Sequence, residues 1–197
     1  IGQGLDEMDK IAKETLDDTF RTALSGDSKE YRESSSSLMF AFILAILLIY
    51  LILAAQFESI IQPLIILSEI VVDVFFVLLG LWLFGESLNI MSMIGLVVMS
   101  GIIINDSILK VDTINRLRKQ GMPVLKAVFA GGHSRLKPII MTSLTTILAI
   151  APFLNRVDMG SDLQYPLSLS IIIGMTVGTL ISLFFIPLIY YIIYRKR

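Results

Sequence analysis

Five apolar runs, each near the ~20 residues a helix needs to cross a bilayer, constrain this chain more than any other feature. They fall at about 38 to 56, 63 to 84, 88 to 112, 138 to 155 and 165 to 194. Hydrocarbon offers no hydrogen bonds, so each run must satisfy its own backbone groups, and the runs are predicted as helices of an all-α integral membrane protein. The chain is 55% hydrophobic and only 17% charged, on the apolar side of a soluble domain. Membrane lipid is therefore an expected partner. A formal net charge of −1 provides no global basic field, so no nucleic acid is expected. Cysteine is absent, which removes disulfides and thiolate metal sites. Ile1 is not an initiator Met and no signal-like stretch precedes the polar start. The expectation is an excerpt of something longer, without its own targeting signal.

Residues 1 to 36 differ from the rest. Leu5, Met8, Ala12, Leu16, Phe20 and Leu24 recur at helical spacing among Asp, Glu and Lys, which predicts a soluble amphipathic segment. Gly26-Asp27-Ser28 is expected to break it. Ser34 to Ser37 then reads either as a flexible linker or as the interfacial collar of a membrane helix. The predicted division is 1 to 36 against a transmembrane domain at 37 to 197.

Basic residues set the expected orientation. Arg116, Arg118, Lys119, Lys126, Arg135 and Lys137 fall between the third and fourth runs, and the tail ends Arg195-Lys196-Arg197. Residues 85 to 89 hold no Lys or Arg, and the last connection holds only Arg156. The positive-inside rule makes the basic loop and C-terminus cytoplasmic, and five crossings put the N-terminal segment on the other side. Within the loop, a cytoplasmic amphipathic helix is expected at about 114 to 132. Its clearest part starts at Met122-Pro123 and stops at Gly131-Gly132. It reads either as a lid under the bundle or as a lipid or partner contact.

Polar groups inside the apolar runs are the functional candidates, because ionisable residues within a bilayer are costly and default to ion or proton handling. In the third run Gly101, Asn105 and Asp112 share one helix face, and Asp106 and Lys110 form an i, i+4 pair on the next. Either Asp106 and Lys110 neutralise each other while Asn105 bonds to another helix, or Asp106 exchanges a proton during transport. Glu69 and Asp73 lie one turn apart in the second run. Two like charges on one apolar face are unfavourable together, so at least one is expected to carry a proton, as a proton carrier or as a structural hydrogen-bonding group. Thr142, Thr145, Thr146 and Ala149 form a stripe, read as back-bonded hydroxyls or as a relay. Ser170, Gly174, Gly178 and Ser182, four apart, form a ridge that permits close helix approach, and Pro187 permits a kink beyond it. His133, the single histidine, reads as a surface contact. The sequence carries no metal cluster, nucleophile-base pair or phosphate loop, so enzyme chemistry, a metal and an organic cofactor are not expected.

Several ordered segments resemble a known family: Leu51 to Ser59, Ser87 to Gly95, Gly101 to Asp112 and Arg135 to Leu144, with Leu24 to Glu30 before them. They are similar to the C-terminal half of resistance-nodulation-division (RND) efflux transporters of the hydrophobe/amphiphile branch. The resemblance implies that the five runs are helices eight to twelve of a twelve-helix proton antiporter driven by the proton-motive force. Residues 1 to 36 would then end its second periplasmic α/β domain. It also implies a bacterial inner membrane, amphiphilic substrates, a missing N-terminal half, and a homotrimer with a periplasmic adaptor and an outer-membrane channel. In that family a lysine, an arginine and a threonine face two aspartates of the other half. Their positions fall here at Asn105, Arg135 and Thr142. Asn105 departs from the pattern, since an amide accepts and donates but carries no charge. Asp106 or Lys110 would then supply part of the missing electrostatics. Other readings of the chain are a membrane subunit of a protein-export or lipid-handling machine of the same superfamily, or an inactive truncated fragment.

Overall fold

The computed structural model describes residues 2–17, 20, 22–25, 27–155 and 159–195, and Gly26, Arg156, Lys196 and Arg197 lie outside that set. Among the described residues six α-helices follow in order: α1 (Gly2–Thr15), α2 (Asp27–Phe57), α3 (Ile61–Leu83), α4 (Ile90–Lys119), α5 (Val124–Ile150) and α6 (Met159–Tyr194). A short 3-10 turn, Ala151–Leu154, extends α5. No strand occurs among the described residues. Among the described residues five segments are long and apolar enough to cross a membrane: Ser36–Phe57, Ile61–Leu83, Ile90–Lys119, Val124–Leu154 and Gln164–Tyr194. Even the 23 residues of α3 reach about 35 Å at 1.5 Å per residue, against a hydrocarbon core of about 30 Å.

Four details differ from the sequence expectations. The N-terminal helix ends at Thr15 rather than running on to Leu24, because the stretch Thr15-Leu16-Asp17-Asp18-Thr19 is poor in helix formers. The serine tract is not a linker, since α2 begins at Asp27 and runs through it, with the spanning segment starting at Ser36. No helix spans 114 to 132: α4 ends at Lys119 and α5 begins at Val124. Nor does α5 stop at Gly131-Gly132; it continues through Pro138 to Ile150. Gly131 serves close packing instead, since a Cβ there would lie 2.6 Å from Ile114 Cγ1 of α4.

The connections are short because the chain caps itself. Gly85 (φ 71°) and Gly121 (φ 87°) adopt the left-handed conformation just past α3 and α4. The Glu86 and Met122 amides reach back to the Leu81 and Leu117 carbonyls, satisfying groups that a helix end leaves open. Asn89 starts α4: its side chain accepts from the Ser92 amide, and the Ser92 hydroxyl accepts from the Asn89 amide, both at 2.8 Å.

Helix α6 is the hub, packing on α3, α4, α5 and the 3-10 turn, while α2 rests on α3 and α4. Phe40, Ile43, Leu47, Leu51 and Ile52 of α2 are exposed. Helices α4 and α6 meet in matched steps of four residues. Gly95 meets Leu167 and Ser170, Gly174 meets Met99, and Gly178 meets Ile103. Lipid tails are as apolar as leucine, so this interface is held by van der Waals contact between closely approaching backbones. One apolar cluster gathers Ile65, Ile66, Ile70, Val111, Ile114, Ile186 and Tyr190. A second gathers Val77, Leu81, Met99, Ile103, Leu169, Ile171 and Met175. The buried charged residues Glu69 and Asp73 of α3 and Asp106 and Lys110 of α4 fall where these two clusters meet, with Ser182 of α6 beside them.

Candidate functional site

The layer between the clusters holds Glu69 and Asp73 from α3, Ser107 and Lys110 from α4, and Ser182 from α6. Each is at most 2% exposed. Lys110 Nζ donates to the Ser182 hydroxyl at 2.7 Å and to the Ser182 carbonyl at 2.5 Å. The Ser182 and Ser107 hydroxyls lie 3.0 Å apart, and the Ser107 hydroxyl donates to Glu69 Oε2. An ammonium only donates, and Ser107 has spent its one proton on Glu69. The Ser182 hydroxyl therefore donates to Ser107, and a directed chain runs Lys110, Ser182, Ser107, Glu69. Three buried oxygens, Glu69 Oε1 and both carboxyl oxygens of Asp73, have no hydrogen-bond partner.

Asp106 lies at the rim of the layer, 9% exposed. The Thr142 hydroxyl approaches its Oδ2 at 3.5 Å. That hydroxyl also faces the Ile139 carbonyl at 2.9 Å and the Pro138 carbonyl at 3.2 Å. One proton cannot serve three acceptors, and the shortest contact is the one back to its own helix. Thr145 and Thr146 likewise donate to carbonyls of α5. Arg135 Nε donates to the Thr113 hydroxyl at 2.9 Å, not to Thr142 or Asp106. Among the described residues no hydrogen bond joins Asp106 to Lys110; the predicted i, i+4 pair acts through charge alone, and the lysine's hydrogen bonds go to Ser182.

The structure thus brings together Glu69, Asp73, Asp106, Lys110 and Thr142 but turns Asn105 away. Asn105 is exposed, as are Gly101 and Asp112 on the same face. It lines a shallow groove with Ile49, Ile52, Leu53 and Gln56 of α2. Gly174 and Gly178 supply the space in which α6 approaches the layer, and the Gly178 Cα faces Asp73 so closely that a Cβ would lie 3.3 Å from its Oδ1.

Ser107 was not singled out by sequence reasoning. Its signal was present, because Gly95, Met99, Ile103 and Ser107 repeat every four residues, as Ser170, Gly174, Gly178 and Ser182 do. A second polar cluster was also missed. Asn115 and Gln62 pair through their amides at 2.7 and 3.2 Å, and the Tyr190 hydroxyl donates to Asn115 Oδ1 at 2.6 Å. Arg118 donates to the Tyr190 hydroxyl at 3.1 Å and lies 4.8 Å above the Tyr194 ring.

Residues 1–194 match the AcrB/AcrD/AcrF family. The chain belongs to this family of RND efflux transporters. Among curated relatives, the multidrug resistance protein MdtC of Erwinia amylovora is 33% identical over 171 residues, covering 86% of this chain and 17% of the relative. The swarming motility protein SwrC of Bacillus subtilis is 29% identical over 189 residues, covering 95% of this chain and 18% of the relative. The chain therefore spans less than a fifth of the length of these family members. Among solved structures, a heavy metal efflux pump superposes over the whole chain and 20% of its own, with a TM-score of 0.85 and 25% identity. A second crystal form of a heavy metal efflux pump, 24% identical, shares the fold with a TM-score of 0.81. With its five spanning segments and these relatives, this family member is a multi-pass membrane protein.

Proposed function

We propose that this chain is the C-terminal transmembrane part of a proton-driven efflux transporter that exports amphiphilic small molecules, including drugs. The observation that carries the reading is the charged layer sealed between two apolar clusters. Buried charge is expensive in a bilayer and is kept where it moves ions or protons. Likeness to a multidrug resistance protein supports the substrate class. Protonation and release at Asp106, beside Thr142, would shift the balance of charge around Lys110, which α6 holds at Ser182. Matched packing of α4 on α6 would pass that change along the helices. Lys110 supplies the ammonium that Asn105 lacks, and Asn105, Arg135 and Thr142 would face carboxylates of the transporter's other half. The reading is one of transport without covalent chemistry, powered by the proton-motive force and needing no cofactor.

In this reading the protein lies in a bacterial inner membrane, with the basic α4–α5 connection and the C-terminus cytoplasmic. Residues 1 to 36 close a periplasmic domain, and the whole transporter works as a trimer with a periplasmic adaptor and an outer-membrane channel. This chain alone should not pump. The test is drug susceptibility of a pump-deficient host carrying the full-length gene, wild type or with Thr142→Ala or Asp106→Asn. Wild-type protection lost in both variants supports the reading; equal protection by all three removes these residues from the coupling. Likeness to a heavy metal efflux pump favours a second substrate class, metal cations, which resistance to metal salts in the same host distinguishes.

A further inference from the structure

Charge does not balance in the buried layer. Glu69, Asp73 and Asp106 offer three carboxyl groups to the single ammonium of Lys110. Were all ionised, two negative charges would stand uncompensated in a membrane interior, each costing several kcal/mol. Hydrogen bonds do not remove the deficit. Lys110 spends two of its donors on Ser182 and Ser107 spends its one on Glu69 Oε2. Glu69 Oε1 and both Asp73 oxygens are left bare. Asp73 has no donor on any side: it faces Glu69 on its own helix, and on α6 it faces Gly178, where even a Cβ would fall within 3.3 Å. The charged groups acting on Glu69 are Asp73 of its own helix and Lys110 and Asp106 of α4, while α6 contributes only the Ser182 hydroxyl.

We propose that Glu69 and Asp73 form a second proton-carrying site, complete within this half of the transporter and separate from the face that carries Asn105. This deepens the proton-driven reading above and rests on it. Each carboxylate takes one proton from water at one membrane face and gives it up at the other; only O–H bonds form and break, and Lys110 keeps its charge. Two protons bring the layer to neutrality. A proton is the occupant the geometry favours, because Gly178 lies so close to Asp73 that a Cβ there would fall 3.3 Å from its Oδ1 and 2.3 Å from Ile103 Cδ1. Lys110, through Ser182 and Ser107, is the positioning group that orients Glu69 Oε2 and leaves Oε1 free.

The test uses the full-length transporter in liposomes, with rhodamine 6G as exported probe and an entrapped pH dye. Protons taken up per dye molecule are measured for wild type, Glu69→Gln and Asp73→Asn. In parallel, wild-type protein is treated with dicyclohexylcarbodiimide, which modifies protonated carboxyl groups in apolar surroundings, and mapped by mass spectrometry. The expected results are a lower proton-to-dye ratio in both variants and an adduct on Asp73 or Glu69. An unchanged ratio in both variants overturns the proposal, whatever the adduct map shows. Where a variant fails to accumulate, the wild-type map decides: an adduct supports the site and none overturns it. Export that requires Na+ and proceeds without a proton gradient overturns the proton as occupant. Wild-type export with no proton uptake and no Na+ requirement defeats the proton-driven reading itself, whereas uptake unaffected by either variant defeats only the second site.

Discussion

Lys110 of α4 is held by Ser182 of α6, 72 positions away, through both the hydroxyl and the backbone carbonyl. The acid one turn before it, Asp106, acts on it through charge without a hydrogen bond. A cation anchored on a neighbouring helix reports that helix's position, which is what a coupling element needs. Because Ser182 passes the contact on through Ser107 to Glu69, one hydrogen-bonded chain links three helices.

Replacing Ser182 by Ala removes the hydroxyl and leaves the carbonyl as the lysine's acceptor. The expected cost is about 1 kcal/mol, between the average for hydroxyl bonds in membrane bundles and that for bonds to charged groups. Lys110→Met strips the layer of its only cation and is expected to cost more, since it leaves carboxyls without a counter-charge. Thermal unfolding of the purified full-length transporter in detergent ranks the two; an equal or reversed order contradicts the chain.

The α4–α6 interface makes unequal demands on its glycines. At Gly95 a Cβ would lie 2.9 Å from the Leu167 carbonyl oxygen, a backbone atom, and 2.8 Å from Ser170 Cβ. At Gly174 the first obstacle is the Met99 side chain, which is flexible and yields. Gly95→Ala is therefore expected to destabilise by about 1–3 kcal/mol, and Gly174→Ala by less. Melting temperatures of the two variants, measured together, check the order.

Glu58 is the one non-glycine residue with positive φ among those described, at 50°, where the Ser59 amide reaches back to the Ala54 carbonyl. Glycine takes this conformation freely, whereas other residues pay about 1–2 kcal/mol. Glu58→Gly is expected to raise stability by about 1 kcal/mol, and Glu58→Val to lower it. A Glu58→Gly variant that melts earlier than wild type would show that the side chain has a stabilising contact of its own.

Asn115 joins Gln62 of α3 to Tyr190 of α6. Asn115→Ala leaves the Gln62 side-chain amide without its partner and the Tyr190 hydroxyl without an acceptor, though Arg118 still donates to that hydroxyl, at an expected cost of about 1–3 kcal/mol. Tyr190→Phe removes one hydroxyl from the same cluster and is expected to cost less. A double-mutant cycle between the two measures their coupling, expected to be non-zero because they share a bond.

How far the sequence disclosed this arrangement depends on what each feature needs in order to be seen. Spanning segments need only length and apolarity, and all five were legible. The spacing of Ser170, Gly174, Gly178 and Ser182 was legible as a ridge, but not that α4 would be its partner in matched register. Helical spacing put Asp106 and Lys110 on one face, yet spacing says nothing of a competing acceptor on another helix, and Ser182 won. Gly131-Gly132 read as a stop because glycine usually ends a helix; here Ile114 required the missing Cβ. Gln62, Asn115 and Tyr190 come from three helices, so no local pattern announced them.

The central claim is that Lys110, not the residue at 105, supplies the charge on which coupling turns. Dye-dependent proton uptake by the full-length transporter in liposomes, compared for wild type, Lys110→Met and Asn105→Ala, tests it most directly. Uptake is expected to be lost in Lys110→Met and only reduced in Asn105→Ala, whose uncharged amide is exposed on the opposite side of α4 from the layer. Undiminished uptake in Lys110→Met would contradict the account.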